Sequence, residues 1–370
     1  MRHLSGVLFL CAGIQSTAPK AGAQPSSRDT TPKMSFGGFI DTYYAWDLQR
    51  PATLDRAYTT QPARHAEFNV NLAFLETKWT GPRYRGRLAV QWGTSVQANY
   101  AGEPRIGSTS GPSASQFLQE AVVGYQLGPT LWLDAGVFLS HIGYEGWISR
   151  DNPTYTRSLI ADFSPYYEAG AKLTWTPRPP LTTTFVLVNG WQNISSENTT
   201  PAAGVRIDYV ASPRLTLTYD DFLGNVAPDT APARLRFFHE VAVQIKPTAR
   251  SLFAAALDAG LQGRSAANGG TATWYGMSLI GRYESTDRLT IVARVERYVD
   301  PEQVIAVTGL DTPFETSGAS LGLDVALAPQ MVWRTEARAF ASSNAIWPTR
   351  QPRIYARGDQ VIVTSLAATF

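Results

Sequence analysis

Charged residues recur at alternate positions in several stretches, and that spacing limits the chemistry open to them. Arg334, Glu336 and Arg338 form one run, and Arg294 and Glu296 another. Alternate residues of an extended chain share a face, so each run is a ladder of mixed charge along one side of a strand. Such rungs either set up a transverse field across an aqueous pore or neutralise one another and brace a wall. Covalent and metal chemistry find less support. His65, His141 and His239 stand far apart with no metal-ligand spacing between them, and Cys11 is the only cysteine. Gly107-Ser108-Thr109-Ser110-Gly111 puts Thr where a Gly-x-Ser-x-Gly elbow needs serine, and it lies in a loop-like stretch. No metal or cofactor is expected.

The elements that must position these ladders are strands. Leu215, Leu217 and Tyr219 alternate with Thr216, Thr218 and Asp220, and Met331, Trp333, Thr335 and Ala337 alternate with Val332, Arg334, Glu336 and Arg338. Tight turns at Gly81-Pro82, Gly128-Pro129, Ser212-Pro213 and Ala328-Pro329 alternate with longer polar loops along the chain. That regularity predicts an all-β, antiparallel up-and-down barrel of about sixteen strands over residues 34–370. The third strand is expected over residues 83–98. Phe68, Val70 and Leu72 read as outward, which would put Glu76 and Lys78 outward as well, and a β-bulge near Ala73–Leu75 restores the phase. With the phase fixed, Arg85, Arg87, Glu120, Asp134, Glu168, Lys172, Arg206 and Asp208 join the two ladders as candidates to line a pore. Burying so many charges dry is prohibitive, and about sixteen strands is the size at which a barrel keeps an aqueous channel.

Composition agrees with this reading. Of 370 residues, 17% are charged and 44% hydrophobic, with 16 Tyr, 16 Phe and 10 Trp. Residues 1–23 have a basic start, a short apolar core and Ala21-Gly22-Ala23 as a small-x-small cleavage pattern, so they read as a signal peptide followed by a short segment over 24–33. Cleavage removes Arg2, Lys20 and Cys11 but no acid, which makes Lys and Arg together equal to the 30 acids and leaves no thiol. A neutral chain without a basic cluster excludes nucleic acid as a partner.

Strand alternation alone does not separate a soluble sandwich from a membrane barrel. Aromatics favour the barrel: Trp46, Trp79, Tyr84, Tyr125, Trp175, Trp191, Tyr209, Tyr219, Tyr283, Trp333 and Phe370 all fall near predicted strand ends, where girdles meet the lipid interface. The apolar face would then contact outer-membrane lipid.

Asn152-Pro153-Thr154-Tyr155-Thr156-Arg157-Ser158-Leu159, continuing to Ser164-Pro165-Tyr166-Tyr167-Glu168-Ala169-Gly170, resembles a segment of the OmpL-like beta-barrel porins of the second type, a Gram-negative outer-membrane family. Gly38-Phe39-Ile40-Asp41-Thr42-Tyr43-Tyr44 and Arg236-Phe237-Phe238-His239-Glu240 are similar to the same family. The resemblance implies an outer-membrane location reached by a cleaved signal peptide, and a carboxyl-terminal Phe370 that the barrel-assembly machinery recognises. It also raises a homotrimer. The layout further resembles general sixteen-stranded porins, in which the loop after the fifth strand folds inward and narrows the pore. Here that loop runs from Ile142 to Phe163 and carries Tyr144, Glu145, Trp147, Arg150, Asp151, Tyr155, Arg157 and Asp162. Two outcomes stay open, a solute-contacting constriction and a plain extracellular cap.

The expected function is a passive channel for small hydrophilic solutes and ions with weak ion selectivity, not an enzyme. The alternatives are a structural or adhesion barrel with a plugged lumen, and a rim-site lipid hydrolase built on His239.

Overall fold

A computed structural model describes residues 32–370, so the expected signal peptide and nearly all of the segment 24–33 lie outside the described residues. The first ten strands are β1 (Lys33–Asp47), β2 (Phe68–Thr80), β3 (Tyr84–Trp92), β4 (Leu118–Gly128), β5 (Leu131–Leu139), β6 (Tyr167–Arg178), β7 (Leu181–Val188), β8 (Ala202–Ser212), β9 (Leu215–Asn225) and β10 (Leu235–Thr248). β11 (Ser251–Gln262), β12 (Ala272–Glu284), β13 (Leu289–Asp300), β14 (Phe314–Ala328) and β15 (Met331–Ser342) follow. A small ribbon of β16 (Trp347–Pro348) and β17 (Tyr355–Ala356) then leads to β18 (Gly358–Thr369). Apart from that ribbon, each strand pairs antiparallel with its neighbours, and β18 pairs with β1 to close a barrel of sixteen strands. Closure leaves no edge, which is the condition for backbone to lie in lipid.

The turns fall as the prolines and glycines predict. Short connections such as Gly81–Arg83 share one rim with both ends of the barrel chain, while the loops after β1, β3, β5 and later odd-numbered strands share the other. β3 is shorter than expected, because residues beyond Trp92 leave the sheet at Gly93 and form the helix α1 (Thr94–Tyr100). Val96 and Tyr100, four apart, share one helix face and pack with Trp147 and Tyr167. The Ser95 hydroxyl donates to the Asn71 carbonyl at 2.7 Å. A period-two reading misses so short a helix.

The anticipated bulge exists but sits earlier, at Asn71. Asp41 faces Leu72 and Thr42 faces Val70, so Asn71 is the unpaired residue. Its amide donates to the Asp41 carboxylate at 2.9 Å, which holds the kink in place. Phe68 therefore faces outward at 87% exposure, whereas Leu72, expected outward, turns inward and is buried. Phe74 and Glu76 follow it inside.

An apolar belt encircles the outer wall: Val123, Leu133, Phe185, Leu217, Val241, Phe253, Leu279, Val295, Leu321 and Ile362 are all exposed. A soluble protein does not carry a continuous apolar band of this extent. Tyr84, Tyr125, Trp175, Tyr209, Tyr283 and Trp333 ring the turn side, and Trp46 and Trp92 ring the loop side. Trp191 departs from the expected girdle. It lies inside, edge-on to Phe222 and Phe238 at about 5 Å.

Candidate functional site

The connection between β5 and β6 does not cap the barrel. It crosses the lumen and reaches strands halfway round the ring, with the short helix α2 (Leu159–Asp162) against β12 and β13. A loop in an enclosed space must satisfy its backbone groups without bulk water, and the charged rungs of the far wall do this. Arg334 donates to the carbonyls of Ser149 and Pro153, both at 2.8 Å, while its Nε donates to Asp324 at 2.8 Å. Arg294 donates to the Thr156 carbonyl and the Thr154 hydroxyl, both at 2.7 Å. Glu336 accepts from the Thr156 N–H and hydroxyl at 2.8 Å. Glu296 accepts from the Leu159 N–H at 2.6 Å and holds Arg338 through two bonds at 2.9 Å.

The near wall grips the start of the same loop. Arg206 donates to the carbonyls of His141 and Gly143 at 2.9 and 3.1 Å, and Glu240 accepts from the Tyr144 N–H at 2.7 Å. Inside the loop, Arg157 donates to the carbonyls of Gly146, Trp147 and Tyr155, while Glu145 accepts from the Ser158 N–H and hydroxyl. Asp41 on β1 takes the Ser149 and Tyr155 hydroxyls at 2.8 and 3.2 Å.

This arrangement divides the residues expected to meet solute. Arg294, Glu296, Arg334, Glu336 and Arg338 point inward, but their side chains are at most 3% exposed because the loop covers them. They hold the loop rather than face open water. Glu145, Trp147 and Arg157 are likewise buried within the loop, which corrects the expectation that they touch solute. Glu168 is buried on His141 and Ser140. Arg150 and Asp151 remain partly exposed: the Arg150 guanidinium lies over Phe39 and Phe74 and donates to the Thr369 hydroxyl at 3.0 Å. Tyr144 is half-buried, its hydroxyl donating to Gln244 at 3.0 Å. Asp162 accepts from the Thr60 N–H and hydroxyl and so joins the lumen loop to the one after β1.

The water-facing part of the charged wall lies on the β2–β9 side. Arg85, with a side chain 39% exposed, pairs with Asp134 at 2.5 Å, and Arg206 pairs with Asp208 at 2.9 Å. Arg87 bridges Glu76 and Glu120. Lys172 sets its ammonium 4.5 Å from the Phe138 ring centre. Nearly every cation here has an acid at hand.

The three histidines of the described region are committed to local bonds. His141 sits on Glu168 at 2.9 Å. His239 meets the Tyr219 hydroxyl at 2.6 Å, and that hydroxyl donates to Asp221 at 3.0 Å. No serine is among the partners of His239 in the described residues. His65 accepts the Asp47 N–H on Nδ1, and burial holds its imidazole below the ordinary range.

A family model described as "Putative beta-barrel porin-2, OmpL-like" matches residues 33–370. No curated protein matches the chain significantly. Among solved structures, the anion-selective porin of Comamonas acidovorans superposes with a TM-score of 0.58 at 11% identity, covering 92% of this chain and 100% of that one. The outer-membrane channel DcaP of Acinetobacter baumannii gives 0.61 at 12% identity, covering 92% and 98%. The trimer form of OmpT from Vibrio cholerae gives 0.58 at 8% identity, covering 92% and 99%.

Proposed function

Because the chain belongs to the OmpL-like beta-barrel porin-2 family, we propose that it is an outer-membrane channel for passive diffusion of small hydrophilic solutes. The observation that carries this reading is the paired, partly exposed charge on the β2–β9 wall beside a loop that crosses the lumen. Those side chains need water, and their acid–base pairing supports weak ion selectivity. Secretion with cleavage after residue 23, folding by the barrel-assembly machinery and assembly as a homotrimer belong to the same proposal; the trimer form of the OmpT neighbour supports the last. Purified barrel in a planar bilayer should give stable current steps in simple salt, with a reversal potential near zero in a cation–anion gradient. Correctly folded barrel without any conductance would defeat the proposal.

A second reading has an observation of its own. The loop is clamped at both walls, and five charged rungs vanish beneath it. A plugged barrel that serves as a structural or adhesion element fits that packing, and the same recording decides between the two.

A further inference from the structure

Above the lumen loop, where the connections after β3, β7 and β9 converge, lies a cavity of about 260 Å³. Asn99, Asn189, Trp191, Asn193, Asn198 and Arg236 contribute to its wall. We propose that this cavity is a binding site for a neutral polyhydroxylated solute, one or two sugar rings in size, held at the outer mouth before passage. The proposal rests on the channel reading and names its substrate class.

Side-chain amides offer a donor and an acceptor on one group, which matches a hydroxyl that is both. Several of these amides are fixed in advance. Asn99 donates to the Ser95 carbonyl at 2.8 Å, Asn189 to the Ile194 carbonyl at 2.7 Å, and Asn198 to the carbonyls of Asn225 and Ala227 at 3.0 Å. Those bonds use the amide nitrogens and leave Oδ1 of Asn99 and Asn189 without a protein donor. Asn193 and the Trp191 indole N–H also have no protein partner among the described residues. These atoms open onto the cavity rather than being sealed in its wall, so a ligand can reach them directly.

Trp191 supplies apolar surface for the C–H face of a ring, and its edge-on contacts with Phe222 and Phe238 fix its plane. Arg236 is held between indoles, 4.9 Å from the Trp191 centre and 5.7 Å from that of Trp274, with Nε donating to Gln262 at 2.9 Å. Its Nη groups remain as donors. Gln192 accepts the Tyr166 N–H at 2.7 Å, so the cavity adjoins the end of the lumen loop. The volume is below the roughly 300–1,000 Å³ of sites that enclose drug-sized ligands, which limits the occupant to a small one. Of its lining groups only Glu197 and Arg236 carry charge, against five Asn and one Gln, and this favours an uncharged ligand over an ion.

The test titrates sucrose against the intact barrel in two settings, ion current in a planar bilayer and saturation-transfer NMR in detergent. Both should saturate in the millimolar range. Asn193→Ala and Trp191→Phe, each checked for folding by heat-modifiable mobility, should each raise the sucrose Kd about tenfold, as expected for a hydrogen bond or ring contact worth about 1.4 kcal/mol. Attenuation that rises linearly with sucrose, an unchanged Kd in both folded variants, or saturation by glycine but not sucrose would overturn the site while leaving the channel intact. Saturable NMR binding without any ion current would support the site and defeat the channel reading.

Discussion

Arg334 satisfies Ser149, Pro153 and Asp324 with one guanidinium, and this multiplicity sets what its replacement does. Exchanging Arg334 and Arg338 for Glu removes donors from the loop carbonyls of Ser149, Asn152 and Pro153 and sets like charges beside Asp324 and Glu296. Breaking a buried pair from one side costs about 3–5 kcal/mol, enough to release the far-wall clamp. The double variant should pass larger and noisier current steps than the native barrel; unchanged steps would show that the clamped loop does not bound the conduction path. A second residue-scale expectation concerns His65, whose imidazole titrates below its ordinary range. Its contribution to the fold of the loop after β1 is complete above the unfolded value near 6.5 and is lost as pH falls below it. Amide protection factors in residues 48–67, taken relative to the intrinsic exchange rate at each pH, should therefore fall between about pH 7 and 5, and His65→Asn should flatten that dependence. The inward direction of Arg294 and Arg334 was legible from alternation alone. Their partners were not, because Thr156 and Ser149 lie 138 and 185 residues away and carry no local pattern toward them.

At the scale of elements, period two located all the barrel strands and the turn residues located their connections, while α1 stayed hidden and the expected bulge fell at Asn71 rather than near Ala73–Leu75. Both depend on neighbours brought by the fold: Asp41 for the Asn71 amide, Trp147 and Tyr167 for the α1 face. The seam between β18 and β1 makes the clearest element-level prediction. Phe370 donates its N–H to the Gly38 carbonyl at 3.1 Å and accepts the Gly38 N–H at 2.9 Å, so the last residue completes the closing ladder. Its ring lies where a side chain at position 38 would begin, which is why glycine suits that position. Deleting Phe370 removes both bonds and the ring, and should sharply reduce the folded, heat-modifiable band in cells. An undiminished band would assign closure to the remaining pairs from Phe39–Thr369 onward.

The whole molecule presents lipid with an apolar belt and solute with paired charge, an inversion of the soluble plan that composition hinted at and the closed sheet makes explicit. Fractionated cells should yield the protein in the outer membrane and lacking residues 1–23; a soluble periplasmic monomer would contradict the membrane reading. The lumen loop has a consequence in time as well as in space. Its anchors include Asp41 on the first strand, which accepts the Ser365 hydroxyl from the last at 2.7 Å, and Thr369, which accepts from Arg150. Part of the loop's berth therefore does not exist until the final residues are in place. A loop from the middle of the chain must wait, inside an unfinished cylinder, for strands made some two hundred residues later. Sealing the barrel thus completes the seating of the loop, and a chain stalled before β18 would hold it by the walls from β8 to β15 but without the anchor at the β18–β1 seam.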